Sequence, residues 1–307
     1  MPDNTPPRWA ALTALALLAA CGKAPEPAAP APAVKAAPAR TAATRPEDEM
    51  PPPRCPPPAS SAPAGHDIAG LRLGMDFDTA LNHARCALPD GVFAASPHWF
   101  QQLRPGQVAL SRQAFSIQRG ETSECSFKKL GDAQKCGLGR RVWEHVDELV
   151  SVATPGLEGR QAVAGIWRQQ QWKPGQMPSR DAVLAALRDK YGREGELRND
   201  PHGTIHWRWD AAGQPLATPD ARFQQCWGIT ARPGGSQRWS EGCGLSITAD
   251  LVPARDNPQL VQALYVGMAH QERLLALGTA MQAELDRLDA ARRAAEVQQA
   301  ASTAPRL

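Results

Sequence analysis

Two kinds of apolar pattern alternate between residues 66 and 269, and together they predict a domain of mixed helix and sheet. Two stretches place apolar residues three and four positions apart, the spacing of a helix with one buried face. The first follows Asp76, an expected N-cap, and the second begins at Ser179 and ends at Gly192. Their apolar stripes are Phe77, Ala80, Leu81 and Ala84 in the first helix and Val183, Leu184, Leu187 and Tyr191 in the second.

Other stretches alternate apolar and polar residues, which is the period of a strand with one buried face. They cover residues 68–73, 108–118, 148–154, 163–172, 204–210, 223–231, 243–251 and 260–268, with a polar loop at 120–141. The sequence therefore predicts the α+β class, with short helices packed on an antiparallel sheet. Met75 and Met177 each open a helix that strands follow, about 100 positions apart, which indicates two similar halves, 66–172 and 173–269.

A long C-terminal helix is predicted from His270 to Ala300, within a final segment of helix and tail that covers residues 270–307. The apolar stripe of this helix fades to alanine beyond Leu288. Such a helix can dock another protein or pack on its own domain, and packing is the favoured interpretation. The stripe consists of Leu274, Leu277, Met281, Leu285 and Leu288.

The first 20 residues have the pattern of a secretory signal peptide, with Arg8 followed by an apolar run from Trp9 to Ala20. A membrane-spanning helix needs about 20 apolar residues, so this run is too short to be one. The run closes on Leu18-Ala19-Ala20-Cys21, which resembles the bacterial lipobox. That resemblance implies cleavage before Cys21, lipidation of Cys21, and, because Gly22 follows, an outer-membrane anchor on the periplasmic face. A plain signal peptide with a chance cysteine is the alternative.

The segment after the anchor, residues 21–65, is predicted to be a disordered tether. Proline and alanine contribute 13 residues each to positions 23–64. Proline fixes one backbone dihedral and donates no hydrogen bond, so such a segment favours extended chain over a packed core. The tether is expected to hold the domain away from the membrane.

Seven cysteines indicate an oxidising compartment, and assigning Cys21 to the lipid leaves an even number of six. An even count favours disulfides, and no Cys-x-x-Cys spacing supports the competing zinc site. The preferred pairing joins Cys226 to Cys243, Cys125 to Cys136 and, by elimination, Cys55 to Cys86. One objection concerns the first pair, because Cys226 and Cys243 fall on mismatched faces of their predicted strands, which a bulge would repair.

Composition and motifs exclude several functions. The net charge of +3, spread along the chain, does not favour nucleic acid. No nucleophile elbow, phosphate loop or dinucleotide fingerprint occurs, so no catalytic residue, cofactor or metal ligand is assigned. His202 and His206 have the spacing of a helical zinc site but are predicted to run into a strand. The carboxylates Asp147, Glu148 and Glu158 lie near strand ends and are expected to be solvated.

Two further motifs carry a family resemblance. The run Gly70-Leu-Arg-Leu-Gly-Met75 leads into a helix, and Lys190-Tyr191-Gly192 ends one. The first resembles the entry to small helix-plus-sheet lipoproteins of Gram-negative envelopes, with the barrel-assembly accessory lipoprotein and the β-lactamase-inhibitor-like fold as the nearest shapes. The second, with the tryptophan-rich strands, resembles uncharacterised periplasmic proteins of the same kind. Because those families bind proteins, the resemblance implies a non-catalytic binding or scaffold module that contacts the membrane through its lipid and an envelope protein through its domain.

Two alternative functions stay open at this point. One is an envelope hydrolase. The other is a binder of small ligands or cell wall that uses exposed tryptophans, for which the candidates are Trp99, Trp143, Trp167 and Trp239.

Overall fold

The computed structural model describes residues 50–55, 66–96, 103–104, 106, 108, 110–124, 141–235 and 238–301. Within these ranges it contains four helices and nine strands, and the strands form one antiparallel sheet. The helices are α1 (Phe77–Ala87), α2 (Arg180–Tyr191), α3 (Ala221–Gln225) and α4 (Gln271–Ala301). The strands are β1 (Val92–Ser96), β2 (Ala114–Glu124), β3 (Arg141–Ala153), β4 (Gly165–Gln171), β5 (Glu196–Leu197), β6 (Ile205–Asp210), β7 (Pro215–Leu216), β8 (Cys243–Pro253) and β9 (Val261–His270). The predicted α+β class is confirmed, including the long C-terminal helix.

The strand order divides the sheet into two runs that meet at its centre. The order is β1-β2-β3-β4-β9-β8-β6-β5, and β7 pairs with β6. The first four strands follow α1 as a meander, while the later strands follow α2 and return to the centre. Ile166 of β4 pairs with Met268 of β9, so one continuous sheet spans both proposed halves. The internal repeat itself stays a prediction.

Helices α1 and α2 pack on the same face of the sheet, which we call the helix face. The side chains of Asp76 and Ser179 cap the two helices by accepting hydrogen bonds from backbone N–H groups, as predicted. Every second residue of the strands points to the helices, because side chains alternate across a strand. This face forms the main core, which includes Phe77, Ala80, Ala84, Phe115, Ile117, Val150, Val152, Ile166, Val183, Leu187, Tyr191, Ile205, Trp207, Ile247, Val266 and Met268.

The opposite face is covered by α3, by the chain that follows it and by the first turns of α4. Trp167 of β4 is buried there, and its indole N–H donates to the Thr230 carbonyl at 3.1 Å. A Cβ on Gly267 would lie 2.3 Å from the same Thr230 oxygen. Glycine is therefore required at this position of β9, because the covering chain passes directly over the strand.

The first half of α4 packs on the sheet, as the favoured interpretation expects. Leu274, Met281 and Leu285 are buried, and the fully buried Gln271 donates to the Cys226 carbonyl at 3.3 Å. From residue 293 to residue 301 every residue of the helix is exposed. The predicted stripe therefore ends where the helix leaves the sheet.

Two disulfides agree with the preferred pairing. The sulfur atoms of Cys226 and Cys243 lie 2.01 Å apart, and those of Cys55 and Cys86 lie 2.12 Å apart. The objection to the first pair disappears because Cys226 follows α3 and is not part of a strand. Cys125 and Cys136 lie outside the described residues.

Part of the predicted tether lies against α1. Cys55 is bonded to Cys86 of that helix, and the Arg54 backbone exchanges two hydrogen bonds with the Asn82 side chain, both at 2.8 Å. Arg85 donates to the Pro51 carbonyl at 2.7 Å. The expectation of disorder is therefore wrong for residues 50–55, because the disulfide and these hydrogen bonds attach them to the domain.

Two predicted strands are wrong. Residues 68–73 form a tight turn in which Ile68 and Leu71 exchange backbone hydrogen bonds at 3.0 and 2.9 Å. Residues 223–231 instead contain the end of α3 and an irregular segment, because the Asp220 side chain caps a short helix. Ile68 and Leu71 in the first stretch and Phe223, Ile229 and Ala231 in the second are buried, so apolar residues in both stretches contribute to the core without strand pairing.

Several strand boundaries also differ from the prediction. Strand β2 runs from Ala114 to Glu124 rather than over 108–118, and β3 begins at Arg141. Both strands therefore extend into the loop predicted at 120–141. The short or edge strands β1, β5 and β7 were not predicted at all.

Candidate functional site

An open crevice of about 360 Å³ lies on the helix face, between α2 and the turn at residues 68–71. Its floor is formed by the two central strands, β4 and β9. This size falls at the low end of the range of about 300–1,000 Å³ found for small-molecule sites. The lining residues are Ile68, Ala69, Arg168, Gln170, Trp172, Gln176, Pro178, Ala182, Val183, Ala186, Leu187, Lys190, Tyr191, Leu264 and Val266.

The wall contributed by α2 follows from the spacing of its residues. Ala182, Ala186 and Lys190 are four positions apart and lie on one exposed side of the helix. Val183 and Leu187 lie beside them and are buried against the sheet. Because two of the three exposed residues are alanines, the space beside the helix stays open.

The start of α2 is fixed to the floor of the crevice by the backbone. Val261 of β9 donates to the Pro178 carbonyl at 2.9 Å, and Arg180 donates from its backbone to the Gln259 carbonyl at 2.8 Å. Trp172 donates in the same way to the Gln262 carbonyl at 3.0 Å. These bonds hold the end of the crevice near Trp172 and Pro178 in place.

A row of charged side chains crosses three strands at the floor of the crevice. Arg168 donates from Nε to Glu148 Oε1 at 2.6 Å, and Arg119 donates to the other carboxylate oxygen at 3.3 Å. Glu148 is buried, whereas about a third of the Arg168 side chain is exposed. The expectation that Glu148 is a solvated carboxylate is therefore wrong, because two guanidinium groups share it inside the fold.

A second cation, Lys190, lies at the α2 wall. Its Nζ is 3.1 Å from Asp67 Oδ1, which also accepts the Gly70 backbone N–H at 2.9 Å. The Tyr191 hydroxyl donates to the Asp67 carbonyl at 3.1 Å. Burial raises the pKa of Tyr191, so this hydroxyl keeps its proton at neutral pH.

A larger hollow of about 570 Å³ lies nearby, at the loops 173–177 and 254–257. Its lining mixes Lys173 and Arg255 with Glu121 and Asp256 and contains several exposed loop residues. Most of the residues that line this hollow belong to loops, whereas α2, β4 and β9 form the wall and the floor of the crevice. Sites built on helices and strands hold their side chains more precisely than sites on loops, so we take the crevice as the candidate site in spite of its smaller volume.

The opposite face of the sheet contains a buried polar cluster beneath α3 and Trp227. Arg208 is 1% exposed, donates to the Phe223 carbonyl and places its guanidinium 4.0 Å from the centre of the Phe223 ring. Burial lowers the pKa of Arg208 to about 10, which leaves the group charged at neutral pH. Nε and Nη2 of Arg208 and Nε2 of His206 have no hydrogen-bond partner among the described residues.

His206 in this cluster is held in its neutral form. Its Nδ1 lies 3.2 Å from Thr248 Oγ1, and the Thr248 hydroxyl donates to the Ile229 carbonyl at 2.7 Å. The hydroxyl therefore accepts from His206, which assigns the proton to Nδ1. Burial, followed by the positive charges of Arg208 and Arg198, lowers the pKa of His206 to about 3.

The residues singled out from the sequence are placed as follows. Cys21 lies outside the described ranges. His202 is exposed whereas His206 is buried, so the pair does not share a surface. In the described part of the chain, no three His, Cys, Asp or Glu side chains converge in a way that would hold a metal ion.

The tryptophans considered for cell-wall binding are not exposed where the structure describes them. Trp167 is buried, and Trp143 and Trp239 are partly buried. Trp99 lies outside the described ranges. The sequence did not indicate Trp172, which lines the crevice, because its position beside α2 depends on contacts distant in the chain.

Comparisons with known proteins give no family for the chain. No protein-family model, no curated protein and no solved structure matches it. Over the ranges that the structure describes, none of the helices combines the length and the apolar character that crossing a membrane requires.

Proposed function

We propose that this chain is a lipid-anchored protein of the bacterial cell envelope that acts as a non-catalytic binding module. In this proposal Cys21 carries the lipid and holds the protein at the periplasmic face of the outer membrane. The crevice beside α2 is its binding site. The crevice is the observation that supports a binding role, because it combines an apolar lining with a few convergent polar groups.

The order of segments along the chain supports the proposed address. A signal-like segment ends at Cys21, and a stretch rich in proline and alanine separates it along the chain from helix α1. The disulfides Cys55–Cys86 and Cys226–Cys243 suit an oxidising compartment such as the periplasm.

Replacing Cys21 by serine tests this address. We expect the C21S protein to take up no fatty-acid label in growing cells and to be absent from the outer-membrane fraction, because the acceptor of the lipid is gone. The matched control is the double variant C55S/C86S, which also removes cysteines but should keep the label. Labelling of the C21S protein at the level of the natural chain would contradict the proposal.

A protein partner in the envelope is the second element of the proposal. Among the described residues, Val297 near the end of α4 is 69% exposed, which makes it a position from which a partner can be reached. A photoreactive amino acid at Val297 is expected to give a discrete crosslinked product in intact cells. The same group at Ala280, an exposed position on the part of α4 that packs on the sheet, is the control for random collision. Equal patterns from both positions would count against a partner at this end.

A further inference from the structure

The charged side chains among the described lining residues of the crevice are cationic. Arg168 and Lys190 line it together with the amides of Gln170 and Gln176, and the described lining residues include no carboxylate. The carboxylates that pair with the two cations, Glu148 and Asp67, lie behind them and are buried. A ligand in the crevice therefore meets cationic side chains before it meets any acidic one.

The local charges do not cancel. Among the described residues, the ion pairs of Arg119, Arg168 and Lys190 involve two carboxylates, those of Glu148 and Asp67, so these five groups carry one net positive charge beside the crevice. His66, whose ring lies 4.8 Å from that of Trp209, adds no further positive charge, because burial lowers its pKa and favours the neutral ring. A ligand with one negative charge would complete this arrangement.

The remaining lining is mainly aliphatic. Val183 and Leu187 form the inner part of the α2 wall, and Leu264 and Val266 form the floor on β9. A volume of about 360 Å³ is at the low end for ligand sites, which favours a ligand with a single alkyl chain. Aliphatic surface of this kind favours an alkyl chain, because its burial removes apolar area from water.

We propose that the crevice binds a single-chain aliphatic carboxylate, with the alkyl chain along Leu187 and Val266 and the carboxylate near Arg168 and Lys190. This inference rests on the proposed function, since it names the ligand class of the same site. Arg168 keeps Glu148 as a partner when the ligand is absent, so the guanidinium is already oriented. Lys190 has a side chain that is 39% exposed and can turn from Asp67 to the ligand.

Calorimetric titration with three ten-carbon probes tests the ligand class. The probes are decanoate, decan-1-ol and decyltrimethylammonium, which share the alkyl chain and differ in charge. The protein is the full chain carrying C21S, so that no acyl chain of its own competes for the crevice. We expect decanoate to bind at least about tenfold more tightly than decanol, and the cation to bind more weakly than either.

Two alanines on α2 provide a matched pair of variants. Ala186 lines the crevice, while its neighbour Ala185 is exposed and does not. A186F is expected to weaken decanoate binding by at least about tenfold by filling the crevice, and A185F to leave it unchanged. K190Q should weaken decanoate binding but not decanol binding. Circular dichroism of each variant checks that α2 and the sheet are intact.

The outcomes separate the ligand class from the site. Equal binding of decanoate and decanol, with loss in A186F, would overturn the carboxylate while keeping the crevice as a binding site. Binding of decanoate that is the same in A186F and A185F would overturn the location. No binding of any probe would overturn the inference and also remove the crevice from the proposed function.

Discussion

Replacing Trp207 by alanine is expected to lower the free energy of unfolding by about 3–5 kcal/mol, the usual range for deleting a large buried aromatic side chain. Trp207 of β6 is 1% exposed on the helix face. Its indole N–H donates to the Gly192 carbonyl at 2.8 Å, directly at the end of α2, and its ring lies edge-on to that of Tyr191. The substitution therefore removes a packing partner and leaves a cavity under the helix that forms the crevice wall.

Urea unfolding followed by circular dichroism measures this change. The matched control is W209A, because Trp209 lies on the same strand and the same face but is only partly buried. We expect W209A to cost about 1–2 kcal/mol. Since small domains have a total stability of about 5–15 kcal/mol, W207A should shift the midpoint clearly. A cost for W207A no larger than that for W209A would show that Trp207 does not hold α2 on the sheet.

Acid is expected to destabilise the protein through His206. The pKa of His206 is about 3 in the folded protein, below the ordinary value of 6.5 that applies when the chain is unfolded. Between these values the unfolded chain binds a proton that the folded protein does not, so stability falls as the pH drops below about 6.5. The fall is about 1.4 kcal/mol for each pH unit until the folded pKa is approached.

The variant H206N isolates this contribution. Asparagine can donate from its amide to Thr248 Oγ1, as Nδ1 of His206 does, but it does not titrate. At pH 7.5 we expect H206N to be less stable than the natural chain by about 1–2 kcal/mol. Between pH 7.5 and pH 5.0 the natural chain should lose about 2 kcal/mol through this group while H206N does not, so at pH 5.0 the two are expected to be about equally stable or H206N to be the more stable. A difference in the free energy of unfolding that stays constant with pH would contradict the neutral, buried state of His206.

Helices α1 and α2 were predictable because their signals are local. The side chains of Asp76 and Ser179 cap α1 and α2 by accepting hydrogen bonds from backbone N–H groups three positions further along the chain. Gly192 ends α2. Strand β6 was predictable for a similar reason, since Ile205 and Trp207 alternate strictly with polar residues. In each case the neighbours that decide the structure lie in the same stretch of sequence.

The sheet edges and the covering chain were not predictable in this way. Strand β1 lies at the edge of the sheet, and Val92 in it is 40% exposed, so apolar alternation carries little information there. The segment 223–231 is apolar at alternate positions because it covers β8 and β9, not because it pairs as a strand. Apolar residues at every second position indicate burial both in a paired strand and in a covering segment such as 223–231. The sequence alone does not distinguish these two structures.

The candidate site combines local and distant information. The alanines of α2 indicate an open side of the helix, since the small residues Ala182 and Ala186 lie next to the apolar stripe of Val183 and Leu187. The floor, however, comes from Arg168 on β4 and Val266 on β9, which are nearly a hundred positions apart in the chain. Their meeting depends on the strand order, and so the crevice and its charges became visible only in the fold.

The lipid anchor is the claim on which the proposed function depends most, and an intact-mass measurement on the natural protein extracted from membranes tests it directly. We expect a chain of residues 21–307 that begins at Cys21 and carries the additional mass of an attached lipid. After fragmentation, we expect this additional mass on the N-terminal residue. A chain that begins at Met1, or one cleaved elsewhere with an unmodified Cys21, would contradict it.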